Sequence, residues 1–548
     1  MRPGVSDTVL PELSWVGSEA LWSTQLSCAV AVLAFCSALS TGSAFAQTTR
    51  DAAACSALTS LKIPGLDLAV TRADWIPAGP TPPQPGPGLP PDPVTLPAYC
   101  RLDGVLDRRT GADGKPYGIG FALALPGEWN GRFLFQGGGG LNGSVRPPLG
   151  GTSTGGVPAL ARGFAVVSTD TGHTGKGGFD ASFMVEQQAT LDFAYQAVGR
   201  VASVARQIIA EHYAKAPDRS YFAGCSTGGR EAMLMAQRHP TYFDGIISGA
   251  PAMRTNFSGI GDEWVATQLN AIAPRNEKGQ PATRQALSDA DKKTVIEGFL
   301  KACDAGDGVE DRMVFNTRAC RFDPKTLVCK GAKADGCLSA EQAAALEKGF
   351  AGPKDSKGRQ VYPGFLFDTG IAATQGIPGL LHGGQNPVGP AFSATTMEVD
   401  ARAAAAAADP AGSLTATSSW TNLNTFSNRG GKLMFFHGVS DPWFSALDTI
   451  DYYERMIEAN GGPAAVSNWS RLYLAPGMGH CSGGEAALDS IDLLTPLVDW
   501  VENGTTPSVV ATGRAFPGRS RPLCSYPQHA HYKGQGDPEK AENFVCRE

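Results

Sequence analysis

The sequence predicts an α/β fold: a mostly parallel sheet covered by helices on both faces, with a large lid inserted late in the sheet. Three observations predict it. Short β-rich runs alternate with helix-like runs over most of the chain, the order that parallel strands joined by crossover helices require. One strand-to-helix junction, within 219–251, turns inside the few residues Gly224-Cys225-Ser226-Thr227-Gly228. Between 252 and 424 the texture changes to four cysteines, many glycines and an alanine run at 403–408, with little alternation.

Taken in order, residues 1–46 read as a signal peptide. The apolar run at 28–39 is too short to span a bilayer, and Ser43-Ala44-Phe45-Ala46 ends in small residues at the spacing that a signal peptidase accepts. Arg2 is accompanied by Asp7, Glu12 and Glu19, where such leaders usually carry basic charge alone. The mature chain is expected to begin near Gln47 and to be secreted or periplasmic. Losing Cys28 and Cys36 with the leader leaves 12 − 2 = 10 cysteines and no Cys-x-x-Cys pair, which implies five disulfides in an oxidising compartment instead of zinc or redox chemistry. Local spacing favours Cys303 with Cys320, Cys329 with Cys337 and Cys524 with Cys546. Cys55 and Cys100 would tie down the N-terminal region, leaving Cys225 and Cys481.

A net charge of −6 with no basic run argues against a nucleic-acid or anionic-membrane partner. The proline-rich stretch 77–97 reads as an extended lead into the core. The first part of the core, 47–251, carries strands at 132–135, 164–167, 221–223 and 245–247, with helices at 191–213 and 231–238. The second part, 425–548, adds strands at 432–436 and 471–474, helices at 447–460 and 486–502, and a C-terminal tail. The insertion at 252–424 leaves the sheet between two strands whose carboxyl ends should carry the site. It therefore projects over the mouth where ligands of such sheets bind.

The junction at Ser226 has the strand–turn–helix context of a nucleophile elbow: its glycines admit close neighbours, and helix N-terminal N–H groups stand beside the serine. Gly151-Thr152-Ser153-Thr154-Gly155 matches the same Gly-x-Ser-x-Gly pattern but has no strand before it and no helix after it, so Ser153 reads as a loop serine. A serine hydroxyl needs a histidine to take its proton and a carboxylate to orient that histidine. Of the histidines beyond the insertion, His437 falls at the end of a strand, and His529 and His531 lie in the tail. His480 follows the strand at 471–474 through a short loop. Asp441 follows the strand at 432–436 through a loop of suitable length, whereas Asp448 falls inside the next helical run. Cys225 precedes Ser226 and Cys481 follows His480, so a serine and histidine within hydrogen-bonding distance would bring the two sulfurs within disulfide reach.

With Cys225-Ser226, Asp441 and His480-Cys481, the chain resembles the tannase and feruloyl esterase family, whose CS-D-HC arrangement these residues match. The likeness runs from about Cys55 to Cys546 and is closest, in 221–251, 440–455, 476–484 and 521–546, to the members that hydrolyse terephthalate monoesters. It implies an α/β-hydrolase core with a large lid, hydrolysis of aromatic-acid esters, and a disulfide beside the triad. By the same resemblance, Gly140, in the glycine run after the strand at 132–135, and Thr227, the residue after the nucleophile, would donate the N–H groups of an oxyanion hole. Trp443 and Phe444, beside Asp441, are candidates to pack on an aromatic acyl group and equally candidates for the core.

Within the insertion, the segment 303–313 gathers Asp304, Asp307 and Asp311 in a glycine-containing turn. Calcium takes about six to eight oxygens, and the spacing is not that of an EF-hand. The resemblance implies a structural calcium held by the side chains of Asp304, Asp307 and Asp311 and the carbonyls of Val309 and Met313. The chain departs from the resemblance at 383–424, a short alanine-rich stretch in which Arg402 is the only basic residue. Lid residues that would grip the acid end of a substrate cannot be matched there. The expected activity is a feruloyl esterase-like serine esterase working through an acyl-enzyme, with terephthalate monoesters as further substrates. A tannase acting on gallate esters and an inactive α/β-hydrolase scaffold used for binding are the alternatives.

Overall fold

Nine strands of the main sheet stand among the residues that the computed structural model describes, 48–82, 93–372, 376–380 and 393–548. The leader at 1–46 and the middle of the proline-rich stretch lie outside the described residues. In chain order the strands are β1 (Leu68–Ile76), β2 (Tyr99–Thr110), β3 (Pro116–Pro126), β4 (Arg132–Gln136), β5 (Ala165–Thr169), β6 (Arg219–Cys225), β7 (Gly245–Gly249), β8 (Lys432–Gly438) and β9 (Ser470–Ala475). They lie in the order β9-β8-β7-β6-β4-β5-β3-β2-β1. Pairing is parallel from β9 through to β5 and antiparallel across β3, β2 and β1.

The parallel strands are apolar on both faces because helices cover both. Tyr221 and Ala223 of β6 point into one core with Leu134, Ile247 and Met434, while Phe222 points into the other with Phe135, Ile246 and Phe435. Strands β1 to β3 were not among the sequence expectations. Their signal is present in β2, whose Cys100, Leu102, Gly104 and Leu106 are buried and alternate with more exposed residues.

Two helices differ from expectation. The helix read at 191–213 begins at Gln187 and passes through a wider π-type turn at Asp192–Gln196 before α1 (Ala197–Tyr213). There the guanidinium of Arg230 donates to the carbonyls of Ala194 and Phe193 at 2.8 and 3.0 Å, satisfying groups that regular helical bonding would otherwise claim. The helix read at 486–502 is α8 (Leu494–Asn503) alone; Asp492 accepts the N–H of Thr495 at 3.0 Å at its start, and Ser490–Ile491 pair with a strand of the C-terminal tail.

The insertion between β7 and β8 contributes no strand to the main sheet among the described residues. Its helices α3 (Thr255–Ile272), α4 (Asp289–Cys303), α5 (Ala340–Ala351) and α6 (Val399–Ala408) include two started by capping boxes, Ser288 with Asp291 and Ser339 with Gln342. Val265, Leu269, Val295, Phe299, Leu346 and Phe350 form a core of its own. Its described residues and the main sheet belong to one compact unit. Between β8 and β9 runs α7 (Ala446–Ala459). Disulfides join Cys55–Cys100, Cys225–Cys481, Cys303–Cys320, Cys329–Cys337 and Cys524–Cys546.

Candidate active site

Ser226 sits between β6 and α2 (Thr227–Arg238) with φ 65° and ψ −124°, a left-handed backbone that a β-carbon resists. Close approach of neighbouring backbone maintains it. A β-carbon at Gly224 would meet the Gly228 carbonyl oxygen at 2.4 Å, and one at Gly229 would meet that of Gly249 at 2.2 Å. The Ser226 N–H donates to Gly249 at 3.0 Å, tying the elbow to β7. Helix α2 begins at Thr227, four residues before the expected start, so its free N-terminal amides lie directly behind the serine. Ser153 also has positive φ, 53°, but it leads into no helix.

His480 lies in the loop after β9, and its Nδ1 meets Asp441 Oδ2 at 2.7 Å. With that nitrogen donating to a carboxylate, Nε2 is left as the acceptor that a general base needs. The Asp441 side chain is 0 % exposed and that of His480 is 21 % exposed, so the carboxylate is dry while the imidazole reaches the cavity. Burial alone would raise the Asp441 carboxyl, but the His480 charge and hydrogen bonds from His437 and His480 outweigh it and hold the group well below the usual carboxylate range. The other oxygen, Oδ1, accepts the N–H groups of Trp443 and Phe444 at 2.8 and 3.2 Å. The Cys225–Cys481 disulfide, with Cα atoms 5.9 Å apart, ties the residue before Ser226 to the residue after His480. Ser226, His480, Gly140, Thr227, Trp443 and Phe444 all line one cavity of ≈ 1940 Å3.

Gly140 has φ 60°, and a β-carbon there would lie 2.0 Å from the Gly178 carbonyl oxygen, so only glycine fits. Its carbonyl accepts the Thr227 hydroxyl, which locks the glycine run onto the start of α2. Neither Gly139 nor Gly140 donates its N–H to an acceptor among the described residues. Glu231, read from sequence only as the start of a helix, organises this run. Fully buried on α2, it accepts the N–H of Gly138 at 2.9 Å and the side-chain amide of Asn142 at 2.6 Å. Asn142, which opens the glycosylation motif Asn142-Gly143-Ser144, is thereby buried.

Two further residues take supporting positions that sequence reading did not assign to them. His437 is fully buried, with Nε2 3.2 Å from Asp441 Oδ2 and 3.0 Å from the Phe444 carbonyl; facing two acceptors, that nitrogen carries a proton. Asp368, from the insertion, accepts Ser440 Oγ at 2.8 Å and the Gly477 N–H at 2.6 Å. One buried carboxylate thus binds both the loop of Asp441 and the loop of His480. Nothing local in the sequence marks Asp368, whose partners Ser440 and Gly477 lie in other segments, whereas His437 meets Asp441 only four residues on.

Trp443 and Phe444 are half-buried at the cavity, their ring centroids 6.3 and 5.2 Å from that of His480. Arg402 lines the cavity too, held by Glu263 at 2.6 Å. In the acidic turn of the insertion, Asp304 and Asp307 are buried. Asp307 Oδ2 accepts the Phe315 N–H at 2.9 Å, while its Oδ1 has no hydrogen-bond partner among the described residues. Burial, followed by the charges of Asp311 and Asp304, pushes the Asp307 carboxyl up to about 7 despite that bond. Asp311 is ion-paired to the buried Arg521 and accepts the Met313 N–H at 3.1 Å, and Val309 packs nearby at the edge of a core cluster. No group of three or more converging His, Cys, Asp or Glu side chains that could hold a metal occurs among the described residues.

Comparison with known proteins settles the lineage. The family model described as tannase and feruloyl esterase matches residues 100–387 and 389–547. The chain belongs to the tannase and feruloyl esterase family. It is 38 % identical over 518 residues to mono(2-hydroxyethyl) terephthalate hydrolase of Piscinibacter sakaiensis, covering 83 % of this chain and 85 % of that protein. It is 30 % identical over 458 residues to probable feruloyl esterase B-2 of Aspergillus terreus, covering 77 % and 82 %. Among solved structures, feruloyl esterase B from Aspergillus oryzae superposes with a TM-score of 0.74 at 24 % identity, covering 90 % of this chain and all of that one. The fold is that of an α/β-hydrolase. As a member of the tannase and feruloyl esterase family, the protein is a carboxylic ester hydrolase.

Proposed function

We propose that the protein hydrolyses esters of aromatic acids of the hydroxycinnamic and hydroxybenzoic type through an acyl-enzyme on Ser226. Ser226 Oγ attacks the ester carbonyl while His480 Nε2 takes its proton. The Gly140 and Thr227 N–H groups receive the negative oxygen of the tetrahedral intermediate. His480 then returns the proton to the departing alcohol, and water repeats the sequence to release the acid. Asp441 orients the imidazole and remains ionised throughout. The observation that carries the reading is the Asp441–His480 hydrogen bond, joined to the strained elbow by the disulfide between the neighbouring cysteines.

A fluorophosphonate tests it: covalent labelling confined to Ser226, lost in Ser226→Ala together with ester hydrolysis, is the expected result. A protein that takes no label and cleaves no aryl ester is instead a binding scaffold. Rates on ethyl ferulate, methyl gallate and mono(2-hydroxyethyl) terephthalate compared side by side assign the acyl preference. A dominant gallate rate makes it a tannase.

The same reading places a structural Ca2+ at Asp304, Asp307 and Asp311 with the carbonyls of Val309 and Met313. The partnerless oxygen of Asp307 and its neighbouring acids support it: a cation there relieves the repulsion that raises Asp307. With few side chains converging, backbone carbonyls have to complete the shell. The ion would hold the insertion's turn and take no part in the reaction. Export through the segment 1–46 is supported by five disulfides, which suit an oxidising compartment. No helix of the described residues is long and apolar enough to cross a membrane.

A further inference from the structure

Phe179 belongs neither to the segments that carry Ser226, Asp441 and His480 nor to the insertion. It stands in the loop after β5, 42 % exposed, an apolar ring left largely in water. Its loop is nonetheless pinned. Asp180 accepts the N–H groups of Lys176 and Ser182, each at 2.9 Å. The adjoining Gly178 carbonyl accepts the Leu141 N–H at 3.0 Å. Phe179 therefore rests on the glycine run: a β-carbon at Gly140 would lie 3.7 Å from its Cε1. Its ring stacks on Trp443, with centroids 5.6 Å apart and planes 10° from parallel. Trp443 in turn lies beside His480, and Gly140, Phe179, Trp443 and His480 all line the cavity of Ser226.

We propose that Phe179 and Trp443 form the aromatic platform on which the acyl ring of the substrate stacks, so that acyl selectivity is set in part by a loop of the core and not by the lid alone. The inference rests on the esterase reading above and adds a residue to it. The reacting carbonyl must lie beside Ser226 and the Gly140 N–H. An aromatic ring joined to that carbonyl directly, or through a two-carbon spacer, then reaches only a few ångströms further, to where Phe179 borders Gly140. Flat rings favour offset stacking at centroid distances of about 4.5–7 Å. A phenyl and an indole already parallel present a flat apolar surface for a third ring, while an acetyl group has no ring to lay on it.

The test uses two esters with one leaving group, p-nitrophenyl benzoate and p-nitrophenyl acetate, on the full-length protein. Phe179→Ala is expected to lower the benzoate-to-acetate ratio of kcat/KM about five- to tenfold, chiefly through KM for benzoate. Phe179→Tyr keeps the ratio and Phe179→Leu falls between. In parallel, benzoate added as an inhibitor of acetate-ester turnover shows a higher inhibition constant in Phe179→Ala. An unchanged ratio, or an equal loss on both esters, overturns the platform, the latter because the residue then merely props the glycine run. A wild-type protein that turns over the acetate ester, ignores the benzoate ester and is not inhibited by benzoate instead rejects the aromatic-acid reading itself.

Discussion

Two buried aspartates, one in the core and one in the insertion, meet opposite fates. Asp441 and Asp307 are both nearly devoid of solvent contact, at 3 % and 1 % exposure. Burial pushes both carboxyls up. Around Asp441, two backbone N–H groups and two imidazoles converge, and the carboxylate stays ionised. Around Asp307 there is one N–H, an oxygen with no partner and two further carboxylates, and the group is held near neutral pH. Depth therefore does not decide the charge of a buried acid; the donors and charges that fold around it do. The core assembles its own compensation, whereas the acidic turn of the insertion leaves Asp307 with an oxygen that has no hydrogen-bond partner among the described residues.

Four measurements press on that contrast, taken from the largest expected effect to the smallest. Asp441→Asn keeps the shape but reverses the hydrogen-bonding sense toward His480, and kcat is expected to fall about 10⁴-fold. Its stability signature has a definite sign. A carboxyl held below its unfolded value of about 3.9 contributes stability that is complete above that pH and disappears as pH falls through the folded value. The melting-temperature gap between wild type and Asp441→Asn therefore closes only in strong acid, and a gap that widens there contradicts the assigned direction. Asp368→Asn comes next. Ser440 and Gly477 both donate to Oδ2 while Oδ1 accepts the Thr369 N–H at 2.8 Å, so an amide must turn its NH2 against one of these donors; the loops that it joins shift, and kcat drops on the order of 10²-fold, consistent with the cost of a roughly 1 Å misplacement.

His437→Phe removes one donor from Asp441 while keeping an aromatic ring in a buried slot. A loss of about tenfold in kcat/KM, with the acid limb of the pH profile displaced, separates support of the carboxylate from mere packing. The mildest effect belongs to the insertion. Adding millimolar Ca2+ to chelator-treated protein should raise the melting temperature by several degrees, about 2–4 °C for each kcal/mol in a domain of some 150–250 residues, and leave kcat nearly untouched. Asp307→Asn abolishes that response. A calcium response that survives the substitution places the ion elsewhere.

The parallel sheet and the Ser226, Asp441 and His480 loops were legible because each rests on local chemistry: an apolar run, a tight glycine turn, a histidine a few residues past a strand. The long apolar alternation of β2 was equally legible and was overlooked, a failure of reading and not of signal. The helix placed at 486–502 was a real error, since Ser490–Ile491 had a strand partner far along the chain, in the C-terminal tail.

By itself the sequence determined the order of the parallel strands, the strained turn at residue 226 and the cysteines beside Ser226 and His480, because backbone sterics and hydrophobic period act between near neighbours. Only the tertiary structure decided that Glu231 holds the glycine run, that His437 and Asp368 brace the acid and base loops, and that Phe179 lies against Trp443. Glu231 meets Asn142 across 89 residues of chain, Asp368 meets Ser440 and Gly477 across 72 and 109, and Phe179 lies 264 residues before Trp443; no local pattern encodes which distant donor will meet a buried oxygen.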